Sequence, residues 1–238
     1  MDVIDVVLPA HNEANSIGTT LREFHDVALA AGLRVRFVVS EDGSSDGTAA
    51  VVQALAATLP ITLISDPTRK GYSRAVTDGL RATTAGLVAC VDADGQCDPR
   101  DLARLVDALN GHDLVVGRRV HRADHWSRMV MSRAFRLVFS AFFKVPLQDP
   151  SSPYLLITRP GLERVLASDP GILPQGFWWE FYARAAEMGL ELSEIPVGHR
   201  PRSAGRTQVY RPSKIPRIAL VHLVGLVRLR RELRSHRP

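Results

Sequence analysis

Two aspartates separated by a single residue form a candidate metal site. Asp92 and Asp94 follow directly after the apolar run 87–91, which has the length and composition of a buried strand. In the turn that leaves such a strand, both carboxylates can reach one hard divalent cation. A cation held in this way can bridge a diphosphate and neutralise the negative charge that develops on it as a bonded group leaves. An isolated pair of this kind can also be a solvated turn, so the context has to decide.

The elements that would position this pair are short β-branched runs alternating with longer amphipathic stretches of helical periodicity. The predicted strands are 3–8, 35–39, 61–65, 87–91 and 113–116. The predicted helices between them are 16–31, 48–58 and 73–83. Strands that alternate with helices indicate a mostly parallel sheet covered on both faces. The predicted fold class is therefore α/β.

Acidic loops follow three of the predicted strands, at 9–13, 41–44 and 92–94. In parallel α/β sheets, ligands bind outside the carboxyl ends of the strands. We therefore expect the three loops to meet at one site.

Length and composition indicate one large globular domain of 238 residues with a formal net charge of +5. From Gly198 onward, eleven Lys and Arg residues accompany the single acid Glu232. Such a balance indicates an anionic partner, which can be nucleic acid, a membrane surface or a phosphorylated substrate. Cys90 and Cys97 lack the spacing of a metal finger, and no signal peptide is seen, so we expect a reduced, cytoplasmic setting. No apolar run reaches the roughly 20 residues that span a bilayer.

Four motifs, taken in this order, resemble those of the family 2 inverting glycosyltransferases with a GT-A fold. Within that family they are most similar to the dolichol-phosphate, or polyprenyl-phosphate, mannosyltransferases. The motifs are Val6–Glu13, Glu41–Thr48, Arg69–Gly71 with Ala75 and Gly79, and Asp92–Asp94 with Gln96. The resemblance covers nearly the whole chain. It implies a Rossmann-like GT-A fold and the transfer of a sugar, with inversion, from a nucleotide-diphosphate donor.

The resemblance also implies which residues bind the donor. The base would lie against the first loop and be hydrogen-bonded at its edge by Asp42, while Arg202 lies in a segment similar to the loop that closes over the diphosphate. The predicted donor-binding residues are Pro9, Ala10, His11, Glu13, Glu41, Asp42, Lys70, Asp92, Ala93 and Arg202. The predicted ligands of a Mg²⁺ or Mn²⁺ cofactor are Asp92, Asp94 and Gln96. His11 stands where the family has Tyr, which leaves the base open between guanine and uracil.

The acceptor site matches the family more loosely. Val116-Gly117-Arg118 resembles a strand ending in Gly-x-Arg, and Ser132-Arg133 resembles a helical Ser-Arg whose arginine holds an acceptor phosphate. The predicted acceptor-binding residues are Arg118, Ser132, Arg133, Asp149, Ser152 and Glu180, and Asp92, Asp94, Arg118 and Arg133 are the predicted catalytic residues. Pro153 and Leu155 depart from the family's pattern.

Two kinds of acceptor remain open at this point. A phosphate monoester is already largely dianionic at pH 7 and needs no base, so a pair of arginines suffices to hold it. A hydroxyl needs a general base within hydrogen-bond reach, and Asp149 or Glu180 would have to serve. The expected reaction is transfer of mannose from GDP-mannose to a polyprenyl phosphate. The alternatives are a UDP-sugar donor, a hydroxyl acceptor or, more distantly, a protein that binds nucleotide sugars without catalysis.

The chain divides into a catalytic domain, 1–213, and a basic amphipathic helix, 214–238. Within the first, 1–117 is the predicted donor half and 118–213 the acceptor half. The helix can lie on an anionic membrane surface, which would place the protein peripherally on the cytoplasmic face. It can equally pack on the domain or on a second copy of the chain. No helix-turn-helix, zinc-finger or aromatic RNA-binding signature accompanies the basic residues, so nucleic acid is not the expected partner.

Overall fold

The computed structural model describes residues 3–120, 135–171, 173, 176–202 and 215–235. The strands are β1 (Val3–Ala10), β2 (Arg34–Asp42), β3 (Ile61–Asp66), β4 (Leu87–Cys90), β5 (Leu114–Arg119), β6 (Leu155–Thr158) and β7 (Leu192–Val197). The helices are α1 (Ile17–Ala30), α2 (Thr48–Leu55), α3 (Tyr72–Arg81), α4 (Asp101–Ala108), α5 (135–142), α6 (Arg159–Ala167), α7 (Phe177–Glu187) and α8 (Ile215–Ser235).

These strands form one sheet in the order β3-β2-β1-β4-β6-β5-β7. β6 runs antiparallel to both of its neighbours, and the other pairs are parallel. β1 is a nearly continuous apolar run because it lies in the middle of a sheet that is covered on both faces. The mostly parallel α/β fold predicted from the sequence is confirmed.

Helices cover both faces of the sheet. On one face, Ile17, Leu21 and Phe24 of α1 pack with α2 and α4 against alternate residues of β1 and β2. On the other face, Val76 and Leu80 of α3 pack in a core that also includes α6 and α7. Both cores pack against β1, β2 and β4, so the positions from which the loops leave these strands are fixed.

Helix α8 packs on the rest of the protein through one of its faces. Leu226, Leu229 and Leu233 are buried in a third core, against Phe143 and Trp179. The ion pairs Arg184–Glu232 and Glu187–Arg230 join α8 to α7. Of the interpretations left open for this helix, packing on the domain is therefore correct for its inner face. Among the helices that the structure describes, none is long and apolar enough to cross a membrane.

Four strands end later than predicted, namely β1, β2, β3 and β5, and the extensions of β2 and β5 change how site residues are placed. β2 continues through Glu41 and Asp42 because these residues pair with Ser65 and Asp66 of β3. β5 continues through Arg119 because its pairing with β7 extends to Val197. Glu41 and Asp42 are therefore strand residues with fixed side-chain directions, not members of a loop.

Candidate active site

The first two acidic loops lie together and are tied by hydrogen bonds. The backbone amides of Asn12 and Glu13 donate to the hydroxyls of Ser44 and Thr48, each at 2.9 Å. Asn12 has a left-handed backbone with φ of 57°, and its side-chain oxygen accepts the amide of Ser45 at 2.9 Å. The convergence predicted for these loops is therefore present in the structure.

His11 is fixed between the two loops. Its Nδ1–H donates to the carbonyl of Asp42 at 2.8 Å, and Asn12 donates to its Nε2 at 3.3 Å. Pro9 and Ala10, the other predicted residues of this segment, are the last two residues of β1 and are buried. The imidazole is thus the side chain of the segment 9–11 that remains at the edge of the sheet.

The carboxylates of Glu41 and Asp42 are engaged by the chain itself. Asp42 accepts the backbone amides of Lys70 at 2.6 Å and Gly71 at 2.9 Å, and Glu41 accepts the hydroxyl of Ser65 at 2.7 Å. Both residues are buried. The structure therefore shows Asp42 holding the loop before α3, whereas its predicted contact with the edge of a base remains a prediction.

The loop before α3 approaches β2 very closely. Gly43 has φ of 63°, and a Cβ built on it would meet the backbone nitrogen of Arg69 at 2.6 Å. Only glycine fits this position. Next along the loop, Lys70 pairs with Asp78 at 2.7 Å and with Asp66 at 3.2 Å, and the hydrogen bond to Asp78 raises the pKa of the lysine. This predicted donor-binding residue is anchored beside α3 and is about one-third exposed.

Asp92 and Asp94 lie close together at the end of β4, and Asp94 is almost fully buried. Burial, followed by the neighbouring charge of Asp94, raises the pKa of Asp92 to about 7. The carboxylate of Asp94 accepts the amide of Gln96 at 3.1 Å, and the carbonyl of Ala93 accepts the hydroxyl of Thr20 at 3.3 Å. The turn is thus held rigidly, with its two carboxyl groups close to each other.

Arg202 brings a positive charge to Asp94 of this pair. Its guanidinium hydrogen-bonds to Glu13, and its Nε lies 3.9 Å from a carboxylate oxygen of Asp94. That Nε is buried and has no hydrogen-bond partner among the residues that the structure describes. Burial also raises the pKa of Glu13. Glu13, Asp92, Asp94 and Arg202 together form what we call the donor side.

The donor side fits a divalent cation that is completed by a ligand. Within the described ranges, no group of three or more His, Cys, Asp or Glu residues could hold a metal by itself. Mg²⁺ commonly uses one or two carboxylates together with substrate phosphates and water, which is what Asp92 and Asp94 can offer. The predicted third ligand, Gln96, donates its side-chain amide to the carbonyl of Arg200 at 3.1 Å, so it also anchors the segment that leads to Arg202.

Around β5 lies a set of arginines with carboxylate partners, which we call the acceptor side. Arg119 binds Asp149 through two hydrogen bonds, of 2.8 and 2.9 Å, and Ser151 at 2.7 Å. Its positive charge also lowers the pKa of Asp92, so it lies towards the donor side. Arg118, its neighbour in β5, lies with its Nε 3.6 Å from Glu194.

Sequence reasoning chose Arg118 and missed Arg119. The signal was present, because a Gly-x-Arg pattern that begins at Gly117 has its arginine at position 119. Successive side chains of a strand point to opposite faces, so only one of the two can share a face with Asp149 in this way. Ser132 and Arg133 lie outside the described residues.

Two other predicted acceptor residues are buried inside the protein. The hydroxyl of Ser152 accepts the amide of Tyr154 at 3.3 Å. Glu180 is fully buried, and its carboxylate accepts the amides of Gly171 and Leu173 and the Nε of Arg184. The prediction that Glu180 could serve as the general base for a hydroxyl acceptor is corrected, because the charge of this carboxylate is satisfied within the core that holds α7 and α8.

Tyr72 is a second residue that sequence reasoning missed. It is the first residue of α3, and its hydroxyl donates to a carboxylate oxygen of Asp92 at 3.1 Å. The indole nitrogen of Trp178 donates to the same hydroxyl at 2.9 Å. At neutral pH a tyrosine hydroxyl carries its proton, so it can donate to Asp92. The one sequence signal was its place directly after Lys70 and Gly71.

Residues 5–211 match the family described as Glycosyl transferase family 2, and the chain belongs to it. The predicted enzyme class, a glycosyltransferase, is confirmed by this family and by the names of the relatives that follow. An uncharacterized glycosyltransferase of Mycobacterium tuberculosis is 34% identical over 218 residues, which cover 87% of this chain and 90% of the relative. The polyprenol monophosphomannose synthase of Mycolicibacterium smegmatis is 28% identical over 212 residues, 84% of this chain and 78% of the relative.

Solved structures confirm the fold. The glucosyl-3-phosphoglycerate synthase of Mycobacterium tuberculosis, crystallised with Mn²⁺, UDP and glucosyl-3-phosphoglycerate, superposes with a TM-score of 0.68. The match covers 96% of this chain and 80% of that chain, at 20% sequence identity. At this identity the likeness shows the GT-A fold. The substrates of the present protein have to be inferred from its own residues.

Proposed function

We propose that the protein transfers a sugar from a nucleotide-diphosphate donor to a polyprenyl phosphate, with mannose from GDP-mannose as the first candidate. The observation that carries the proposal is the position of Arg119, which ends β5 and is held by Asp149 and Ser151, and whose charge lowers the pKa of Asp92. A phosphate bound by this arginine would face the place where the donor diphosphate binds. The name of the mycobacterial polyprenol monophosphomannose synthase supports this choice of acceptor.

The donor side would hold the diphosphate together with Mg²⁺ or Mn²⁺, the cation with which the synthase from Mycobacterium tuberculosis was crystallised. Such a cation supplies neutralisation of the negative charge that grows on the leaving diphosphate. Asp92 and Asp94 would hold it, and their mutual repulsion favours its binding. Arg202, now shared between Glu13 and Asp94, can bind phosphate oxygens with the same guanidinium.

A phosphate acceptor agrees better with the carboxylates of the acceptor side than a hydroxyl does. Of the two candidate bases, Glu180 is buried with its own partners, and Asp149 is bound by Arg119 through two hydrogen bonds. A phosphate monoester is already largely dianionic at pH 7, so the reaction needs no base. Its nucleophilic oxygen would attack the anomeric carbon from the side opposite the leaving diphosphate, and the product sugar would have the inverted configuration.

The outer face of α8 supports a membrane surface as the place of reaction. Between residues 221 and 234, its exposed residues are Val221, Leu223, Val224, Arg228, Arg231 and Arg234. The three apolar residues are 45–52% exposed, and they precede the three arginines along the helix. Apolar side chains that enter the acyl boundary, together with arginines that meet anionic headgroups, are typical of helices lying on a membrane.

The test offers the purified protein labelled GDP-mannose or UDP-glucose, Mn²⁺ and three separate acceptors. These are a polyprenyl phosphate in anionic vesicles, the matching free alcohol, and 3-phosphoglycerate. We expect transfer to the lipid phosphate alone, lost on addition of EDTA. Transfer to the alcohol or to phosphoglycerate, without transfer to the lipid phosphate, would overturn the proposed acceptor and leave the family assignment intact.

A second arm of the same experiment tests the outer face of α8. Changing Arg228, Arg231 and Arg234 to Gln should weaken binding to anionic vesicles about a hundredfold, at about 1 kcal/mol for each basic residue near the surface. The control changes Arg34, Arg81 and Arg104, three exposed arginines elsewhere on the domain, to Gln. Equal loss in both variants would mean that net charge, not α8, governs membrane binding.

A further inference from the structure

We infer that Tyr72 is a positioning residue for Asp92, which it holds in the orientation needed by the divalent cation. The inference rests on the proposed function, since it deepens the role given there to Asp92. The contact is direct, with the tyrosine hydroxyl 3.1 Å from the carboxylate oxygen. Tyr72 is 41% exposed, so the residue lies at the surface of the site and not within a core.

The direction of the hydrogen bonds follows from the chemistry of the partners. The indole nitrogen of Trp178 is a donor only, and it lies 2.9 Å from the tyrosine oxygen. That oxygen therefore accepts from Trp178, and its single proton is directed towards Asp92. Trp178 is buried on α7, so the chain of two hydrogen bonds begins at a fixed point.

The backbone of Tyr72 is fixed as firmly as its hydroxyl. The amides of Lys70 and Gly71 donate to Asp42, and Gly71 has φ of 95°, a conformation that turns the chain into α3. The end of β2 thus determines where α3 begins, and the first residue of α3 determines the orientation of a carboxylate at the end of β4. Asp42, predicted to bind a base, acts in this structure on the metal-binding aspartate through Tyr72.

The expected consequence lies in cation affinity. One oxygen of Asp92 is engaged by the hydroxyl, which restricts rotation of the carboxylate and directs the other oxygen away from Tyr72. Hydrogen-bond partners of metal ligands typically contribute about 10- to 100-fold to metal affinity. A hydroxyl with a purely structural role would contribute to stability and leave this affinity unchanged.

The test is calorimetric titration of Mn²⁺ into the protein in the presence of GDP or UDP. Tyr72→Phe should weaken Mn²⁺ binding about tenfold while the melting temperature stays close to that of the wild type. Its transfer activity should recover when Mn²⁺ is raised by the same factor. Trp178→Phe, which leaves the tyrosine but frees its hydroxyl to rotate, should show a smaller loss in the same direction.

The matched control is Tyr154→Phe. It removes a tyrosine hydroxyl at a different place, one that donates to the carbonyl of Asp98 at 3.2 Å, and should leave Mn²⁺ affinity unchanged. Wild-type affinity in Tyr72→Phe would overturn the positioning role while the proposed function stands. Failure of the wild-type protein to bind Mn²⁺ with either nucleotide would instead overturn the proposed function and this inference together.

Discussion

On the donor side, Glu13 and Asp94 share one arginine, Arg202, whereas each carboxylate of the acceptor side has an arginine of its own. Arg119 pairs with Asp149 at 2.8 Å, and Arg118 lies 3.6 Å from Glu194. The donor side therefore carries excess negative charge at a largely buried place, and burial raises the pKa values of Glu13 and Asp92. Burial raises the pKa of Glu194 on the acceptor side as well, so the two sides differ in their pairing, since each carboxylate there has its own arginine.

Because of this difference, the donor side needs an added cation, whereas the arginines of the acceptor side must exchange their carboxylate partners for a ligand. Ionised carboxylates without enough positive charge destabilise the protein until a cation arrives, which is the usual cost of a preformed functional site. On the acceptor side, an incoming phosphate has to compete with Asp149 for Arg119. Substitutions on the two sides should therefore have opposite consequences for stability.

The largest effect is expected from Asp94→Asn, which removes a negative charge and keeps the shape of the side chain. Transfer at saturating Mn²⁺ should fall at least about 1000-fold, because metal assistance is worth several kcal/mol. The unfolding free energy of the metal-free protein should not fall, since repulsion with Asp92 is removed. Urea unfolding in EDTA and the transfer assay measure the two quantities. Retained turnover, or a loss of more than about 1 kcal/mol of stability, would contradict the comparison.

The next effect is expected on the acceptor side, from Arg119→Gln. The side chains of Arg119 and Asp149 are only 13% and 9% exposed, so the substitution leaves a nearly buried carboxylate without its main cation. Breaking such a pair from one side costs about 3–5 kcal/mol, and the partial exposure favours the lower value. Adding Asp149→Asn should recover most of this stability without restoring transfer. A single variant as stable as the wild type would show that the pair is not a structural unit.

The sequence predicted those parts of the site that depend on the order of the elements. Alternating strands and helices place the loops after β1, β2 and β4 at one edge, and the two aspartates follow from their position after a buried strand. The motif resemblance added the family, which is confirmed over residues 5–211. These predictions stay correct even when the predicted strand boundaries are wrong by a few residues.

What the sequence could not predict depends on the direction of individual side chains. Whether Arg118 or Arg119 faces Asp149 depends on the register of β5, and the predicted strand ended before either residue. Glu180 fits the family's pattern, but Arg184, one helical turn later, binds it into the core, and Arg184 is itself bound by Glu232 on α8. The contact of Tyr72 with Asp92 joins residues 20 apart and is completed by Trp178, 106 residues away, so no local pattern indicates it.

The smallest effect is expected at Asp98. This residue tests whether the pKa of a carboxylate depends on its arginine partners or on its closeness to the pair Asp92 and Asp94. Asp98 lies only four residues after Asp94, yet a hydrogen bond from Arg100, aided by the charge of Arg200, lowers its pKa from 3.8 to about 2. A pKa that is lower in the folded protein means that ionised Asp98 stabilises the fold above about pH 4. This stabilisation is lost as the pH falls from 3.8 towards 2.

Asp98→Asn should therefore cost about 1–2 kcal/mol at pH 7, and the cost should shrink to nearly nothing at pH 2. Chemical denaturation of both proteins across this range measures the difference. A cost that does not depend on pH would show that the aspartate acts through shape and not through charge. A cost that vanishes in acid would place Asp98 with the balanced carboxylates of the acceptor side, although it is the sequence neighbour of the unbalanced pair.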